Sequence, residues 1–454
     1  MIDRRTMLMS SVAASAAILA RAKLAAAQVH QHSPAPAPAP APKGPGQGSA
    51  HKFVAPVGPG KLTKGRSVAG ESYAPVVMPN GRTLPFEKRG GVKVFHIIAE
   101  PVKHEIAAGL EIEAWGYNGM TPGPLIECVE GDKLRLYVTN KLPEATSVHW
   151  HGVLLPNGMD GVAGLTQKPI PVGKTFKYEF TMRHAGTFMY HPHFDEMTQI
   201  ALGMVGMIVV HPRRAPARRV RDYSLMAHEW MIPIGSRRPD PLAMSDFNVL
   251  TFNSKAFPGT EPLVAELGDL VRIRLGNLGP MDHHPIHLHG HTFEVVESDG
   301  GLVPRSARHP DTTVLVPVGA VRVIEFVADA PGDWAFHCHM THHVMNQMGH
   351  ATPNMIGADT RGVDARVGRV VPGYMTMGAT GMGDMHHMDL PANSISMVGG
   401  KGPFGMIDMG GMFTILKVRK QLAGDSDPGW YEHPAGTVAG EASADELARD
   451  GIKA

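Results

Sequence analysis

The chain has 454 residues, 43% of them hydrophobic, and its 43 basic and 42 acidic side chains leave a formal net charge of +1. That balance argues against nucleic acid or an anionic membrane as the main partner, and the length allows two or three domains with real cores. The 52 Gly and 38 Pro favour many turns over long helices, and 26 His with 28 Met form an unusual stock of imidazole and thioether groups.

The first element is a targeting segment. Arg4 and Arg5 precede the apolar run MLMSSVAASAAILA and the small residues LAAAQ. The run is short for a membrane span, so residues 1–27 read as a cleaved signal of the twin-arginine type. A retained anchor helix is the competing reading. Residues 28–89 follow as a Pro/Ala/Gly-rich linker and N-terminal arm without a core of its own. The expected destination is periplasmic or secreted, with no stable membrane insertion once the signal is gone.

Beyond the linker lies a diverged internal repeat. The first copy holds PLIECVEGDKLRLYVTN, HWHG and GKTFKYEFTMRHAGTFMYHPHF; the second holds PLVAELGDLVRIRLGN, HPIHLHGH and GAVRVIEFVADAPGDWAFHCHM. Each predicts strand, Gly-Asp turn, strand, His pair, strand, Gly-aromatic segment and His-x-His. The strands rest on period-two alternation: Phe176, Tyr178 and Phe180 against Lys177 and Glu179, and Val271, Ile273 and Leu275 against Arg272 and Arg274. The expected fold is all-β, two tandem cupredoxin-like Greek-key β-sandwich domains at 90–212 and 213–358. Residues 359–454 are a Met-rich extension and polar tail.

Four dense clusters carry the chemistry. They are His149-Trp150-His151, His191-Pro192-His193, His284-Pro285-Ile286-His287-Leu288-His289, and His337-Cys338-His339 continuing through His342, His343 and Met348. A lone His is most often a satisfied polar group. His-x-His on a strand, however, sets both imidazoles on one face, and four such clusters in two related units point to metal. The two copies differ where Pro192 faces Cys338, so only the second places a thiol between imidazoles. Two Cys could form one disulfide, but Cys338 has this better use, and Cys128 in LIECVEGD reads as an inert buried thiol.

In order and spacing these clusters resemble the four copper-binding motifs of the multicopper oxidases, over roughly residues 110–350. The resemblance implies four coppers per chain. Cys338, His284 and His343, with Met348 as a weak axial thioether, correspond to the type 1 ligands. His149 and His287 correspond to type 2; His151, His191 and His339 to one type 3 copper; His193, His289 and His337 to the other. Asp160, in NGMDG, matches an acid that orients cluster water and helps deliver protons; its bland reading is an Asp-Gly turn. Many relatives carry a second acid directly after the ligand that His343 matches, where this chain has Val344. Asp195 or Glu196 could substitute.

Only 90 residues lie between His193 and His284, too few for a middle domain. The chain therefore resembles the two-domain, laccase-like subgroup with its blue copper in the second domain. In that subgroup the cluster forms between subunits, which implies a homotrimer; a monomer closing on itself is the alternative. The expected partners are O2 and a small reducing substrate: a phenol, an aromatic amine or Cu(I). Between 373 and 415 the chain holds nine Met and His386-His387 among Gly and Pro, a pattern that suits Cu(I) handling and favours a cuprous oxidase as the second functional reading. GMFTILKVRK at 411–420 reads as one more strand that pins the tail to the body, and the last 30 residues read as polar and poorly ordered. A copper nitrite reductase would need its Cys beside the first-domain pair, where Pro192 stands. A copper storage protein would lack an intense visible band when oxidised.

Overall fold

The structure, a computed structural model, describes residues 73–214, 220–245, 247–347, 366, 369–370, 390 and 392–453, all within one compact unit, Ala55–Ala454. The expected signal, most of the linker, Met348 and much of the Met-rich run lie outside the described residues.

Two β-sandwiches follow one another, as alternation predicts. In the first, one sheet runs Phe86–Arg89, Val92–Ala107, Lys133–Asn140, Thr175–Thr181, with Leu110–Tyr117 also paired to the long second strand. The other runs Ile126–Val129, Gly206–His211, Gly186–His191, His149–His151. Phe95, Leu136, Trp150, Phe188 and Cys128 pack between them. The fold thus begins a few residues before 90, because Phe86–Arg89 is already registered against Val92–Phe95.

The second sandwich repeats the plan. Its larger sheet is built on Arg221–Trp230, Leu270–Asn277, Val321–Val327 and Phe293–Ser298. The facing sheet runs Leu263–Glu266, Phe413–Arg419, Gly332–Cys338, His284–Leu288, Thr313–Val316. The register shows the repeat directly. His149 lies opposite His191 in the first copy, and His287 opposite His337 in the second. Ile126–Val129 runs parallel to Gly206–His211, as Leu263–Glu266 does to Phe413–Arg419.

That last match corrects the boundary at 358. The final strand of the second sandwich is Phe413–Arg419, and in the chain it is held back by the whole of 345–412. The predicted strand exists, and it is an inner strand, hydrogen-bonded on both sides. Past it, residues 420–453 are mostly exposed, with one short helix, Ala444–Arg449. Ser443 accepts from the Glu446 amide while the Glu446 carboxylate accepts from the Ser443 amide, a capping box that supplies local order where a disordered tail was expected.

Alternation sets Arg272 and Arg274 opposite Val271, Ile273 and Leu275, and the structure shows that this second face is also covered: Arg274 is 3% exposed. The larger sheet of the second sandwich packs its outer face on the first sandwich, joining Met189, Val205, Met207 and Val209 to Met226, Val321 and Val323. Arg274 is tolerated there because its guanidinium grips both Asp222 carboxylate oxygens at 2.8 Å and donates to Thr187 of the first sandwich at 2.5 Å.

Candidate metal centres

Cys338 ends the strand Gly332–Cys338, and His284 begins the neighbouring strand, with Ile286 opposite Cys338. The chain then turns through a short 3-10 segment, Thr341–Val344, which brings His343 back over the same point. The Cys338 Sγ lies 3.8 Å from His284 Nδ1 and 3.5 Å from His343 Nδ1, and those nitrogens are 3.2 Å apart. Cys338 and His284 are fully buried and His343 nearly so. Burial pushes the thiol up to about 12 and the His343 imidazole down to about 4. Burial thus disfavours the charged forms of Cys338 and His343 when they are alone, and a soft cation held among the three converging side chains would supply the positive charge that lets the thiol ionise. Cys128 belongs to the other sandwich's core, and the two Cys are not joined.

Each imidazole of this cage is braced from outside. His284 Nε2 lies 3.3 Å from a carboxylate oxygen of Glu229, and His343 Nε2 lies 3.5 Å from Asp282. Burial opposes ionisation of Glu229, yet the His284 contact and the amides of Met281 and Asp282 hold it below the ordinary carboxylate range. Sequence reasoning missed both acids. The available signals were Glu229 inside the apolar run SLMAHEWMIP and Asp282 two residues before His284. Met412 caps the cage from behind: its carbonyl accepts the Cys338 amide and its amide donates to the His343 carbonyl.

The other eight imidazoles form two separate quartets. In the first sandwich the ligand atoms of His149, His151 and His191 lie within 4.8 Å of one another, and His193 joins them with its ring 5.7 Å from His149. In the second, His287 sits 4.8, 5.7 and 5.4 Å from the rings of His289, His337 and His339. Ring contacts occur within each quartet, and none among the described residues links the two. The expected trios His151, His191, His339 and His193, His289, His337 are therefore not assembled inside one chain.

Backbone carbonyls fix the tautomers. A carbonyl can only accept, so the Nδ1 of His149, His191, His287 and His337 donates, to Asp160, Pro192, Thr312 and Cys338 at 2.7–2.8 Å. Each then keeps a bare Nε2 for a metal. His151 is reversed: its Nδ1 faces His191 Nε2 at 3.2 Å. Asp160 thus touches the site through its carbonyl, and its carboxylate lies 3.5 Å from the same His149 nitrogen. Glu196, not Asp195, reaches the quartet, 3.5 Å from His191 and 3.7 Å from His193. Val344 packs in a small apolar cluster with Phe257, Phe413 and Ile415. Met348 lies outside the described residues.

With this geometry in hand, similarity to known proteins is informative. Two family models, both described as multicopper oxidase, match residues 99–215 and 233–356, together a little over half of the chain. Laccase-1 of Cryptococcus neoformans var. grubii is 31% identical over 225 residues, covering 43% of this chain and 36% of that protein. Copper resistance protein A of Escherichia coli is 39% identical over 123 residues, covering 27% and 20%. The chain thus matches little more than a third of the laccase's length. Among solved structures, the blue copper oxidase from Nitrosomonas europaea superposes with a TM-score of 0.54 at 25% identity, over 72% of this chain and 85% of that one. The multicopper oxidase mgLAC gives 0.54 at 26% identity, over 73% and 88%.

Proposed function

The chain belongs to the multicopper oxidase family, and on that footing we propose that it oxidises small one-electron donors at a type 1 copper and reduces O2 to water at a trinuclear copper cluster. Bound copper supplies the one-electron transfer and, as a four-metal set, the four electrons that O2 needs. Cys338, His284 and His343 would hold the type 1 ion, with Met348 as the axial thioether; the two quartets would hold the other three.

One observation carries this reading. Cys338 belongs to the buried S–N–N cage, while the residues on either side of it, His337 and His339, belong to the second quartet. One short stretch of backbone therefore links donor-side and oxygen-side ligands. Protein residues orient the rings through the carbonyls named above, and Asp160 and Glu196 set carboxylates against the first quartet for proton supply. Copper-loaded protein should be blue with an EPR-active cupric centre, and Cys338→Ser should abolish the colour. A colourless loaded parent would refute the proposal and favour copper storage.

We further propose a ring of three chains, each cluster made from the first quartet of one and the second of its neighbour. Support comes from the separation of the quartets, since each offers only four of the eight imidazoles. Light scattering coupled to size exclusion should give a trimer. A fully active monomer would defeat the idea.

The donor is proposed to be a phenol or aromatic amine, with Cu(I) as the second reading. The Met-rich run favours Cu(I), but Met412 is fully buried behind the cage and serves the fold instead. The informative deletion is therefore 373–389, which spares Asn393, bonded to Glu111 and Ser236. Loss of Cu(I) turnover with phenol oxidation kept would favour the cuprous reading; equal activity on both would remove it. Export by the twin-arginine route to the periplasm or beyond fits the N-terminal sequence. No helix among the described residues is long and apolar enough to cross a membrane.

A further inference from the structure

Glu229 is fully buried at the far side of His284, in the strand Arg221–Trp230, and it is aimed at one edge of the cage. Its two oxygens have different partners. Oε1 accepts the backbone amides of Met281 at 2.5 Å and Asp282 at 2.7 Å; Oε2 faces His284 Nε2 at 3.3 Å. Gly279 leaves the space this needs, since a Cβ there would fall on the Glu229 carboxylate.

Counting donors and acceptors gives the consequence. His284 Nδ1 faces the Cys338 sulfur, so it must keep its lone pair to bind a cation, and the ring proton must sit on Nε2. Glu229 therefore has a donor facing each of its oxygens and needs two acceptor ends. A glutamine has the same shape but one acceptor and one donor. If its oxygen keeps the two amides, its NH2 meets the Nε2 proton, and His284 must shift that proton to Nδ1, where it blocks the metal. If the amide flips, its NH2 confronts two backbone N–H groups instead.

We propose that Glu229 is a positioning residue that locks His284 in the tautomer able to ligate the type 1 ion, so that a carboxylate at this position is a chemical requirement beyond bracing the 279–282 loop. This rests on the type 1 reading above. The test compares copper-loaded full-length parent, Glu229→Gln and Glu229→Asp. A role confined to shape ranks the isosteric Gln above the shorter Asp. The acceptor requirement ranks them in reverse: Gln should bind type 1 copper at least about tenfold more weakly and lose the visible band, while Asp retains more of it, with the trinuclear EPR signal kept in both. A Gln variant as blue as the parent, or bluer than Asp, overturns the inference. A parent without the band instead fails the type 1 reading itself. Should both variants misfold, nitrogen-15 NMR of the reduced, copper-loaded parent decides: a slowly exchanging proton on His284 Nε2 is expected, and its rapid exchange with solvent would overturn the proposal.

Discussion

At Gly411 the backbone adopts a positive φ of +57°, and a Cβ there would lie 2.4 Å from the His343 carbonyl. Beside it, Asn346 accepts the Gly411 amide at 2.8 Å and donates to the carbonyls of Phe257 and Ser396. Single residues therefore decide whether the turn carrying His343 holds its place. Gly411→Ala combines an unfavourable backbone conformation with a clash that only main-chain movement relieves. It should cost more than about 1 kcal/mol of stability, read from the denaturant midpoint, and weaken the visible band. An unchanged midpoint and spectrum would show that the turn yields freely. His149→Ala is the contrasting case. It removes a proposed ligand of the trinuclear set while leaving the Cys338 cage intact, so the band should persist while O2 consumption falls to background.

Among the elements, the strand Phe413–Arg419 joins the far end of the chain to the middle of a sheet. It pairs with Leu263–Glu266 on one side and Gly332–Cys338 on the other, and Leu416 and Val418 are fully buried. Removing it would strip two sheet edges of partners and expose part of the second core, a loss that a sandwich of marginal stability does not survive. A chain stopped at residue 410 should be insoluble or bind no type 1 copper. The 373–389 deletion should keep the band and remain soluble. Recovery of a soluble, blue 1–410 protein would show the strand to be dispensable.

On the scale of the molecule, the two sandwiches are tied by the buried Arg274 and Thr187 with the nearly buried Asp222. Burial opposes ionisation of Asp222, but Arg274 and Arg272 hold it below its usual range. Its stabilising effect is therefore present above the ordinary Asp pKa of about 4 and lost as pH falls through the lowered folded value. Arg274→Met leaves the carboxylate buried with a weaker partner, which should cost roughly 3–5 kcal/mol and move acid unfolding, followed by circular dichroism, to higher pH. The proposed ring makes a separate prediction. Chains carrying His149→Ala and chains carrying His337→Ala should each be inactive, and refolded together they should regain activity, because some interfaces then receive two intact quartets. No recovery on mixing would speak against shared clusters.

Much of this protein was written locally in its sequence. Period-two alternation marks the strands, and His-x-His spacing puts paired imidazoles on one face, so the repeat and the His pairs were legible from short stretches; the grouping of Cys338 with His284 and His343 came from the family resemblance. The extra strand at 413–419 was legible as a strand, but its rank as the last strand of the second sandwich was not, because the 345–412 segment hides its kinship with Gly206–His211. Glu229 and Asp282 left only weak signals, an acid in an apolar run and an acid near His284: a lone acid carries no periodic signal, and its role depends on which ring packs against it. The burial of Arg274 was not legible because alternation reports two faces and cannot say what covers each. Local pattern follows from backbone geometry, which each residue carries with it; partnership across a core or between sandwiches follows from three-dimensional packing, which only the folded chain decides.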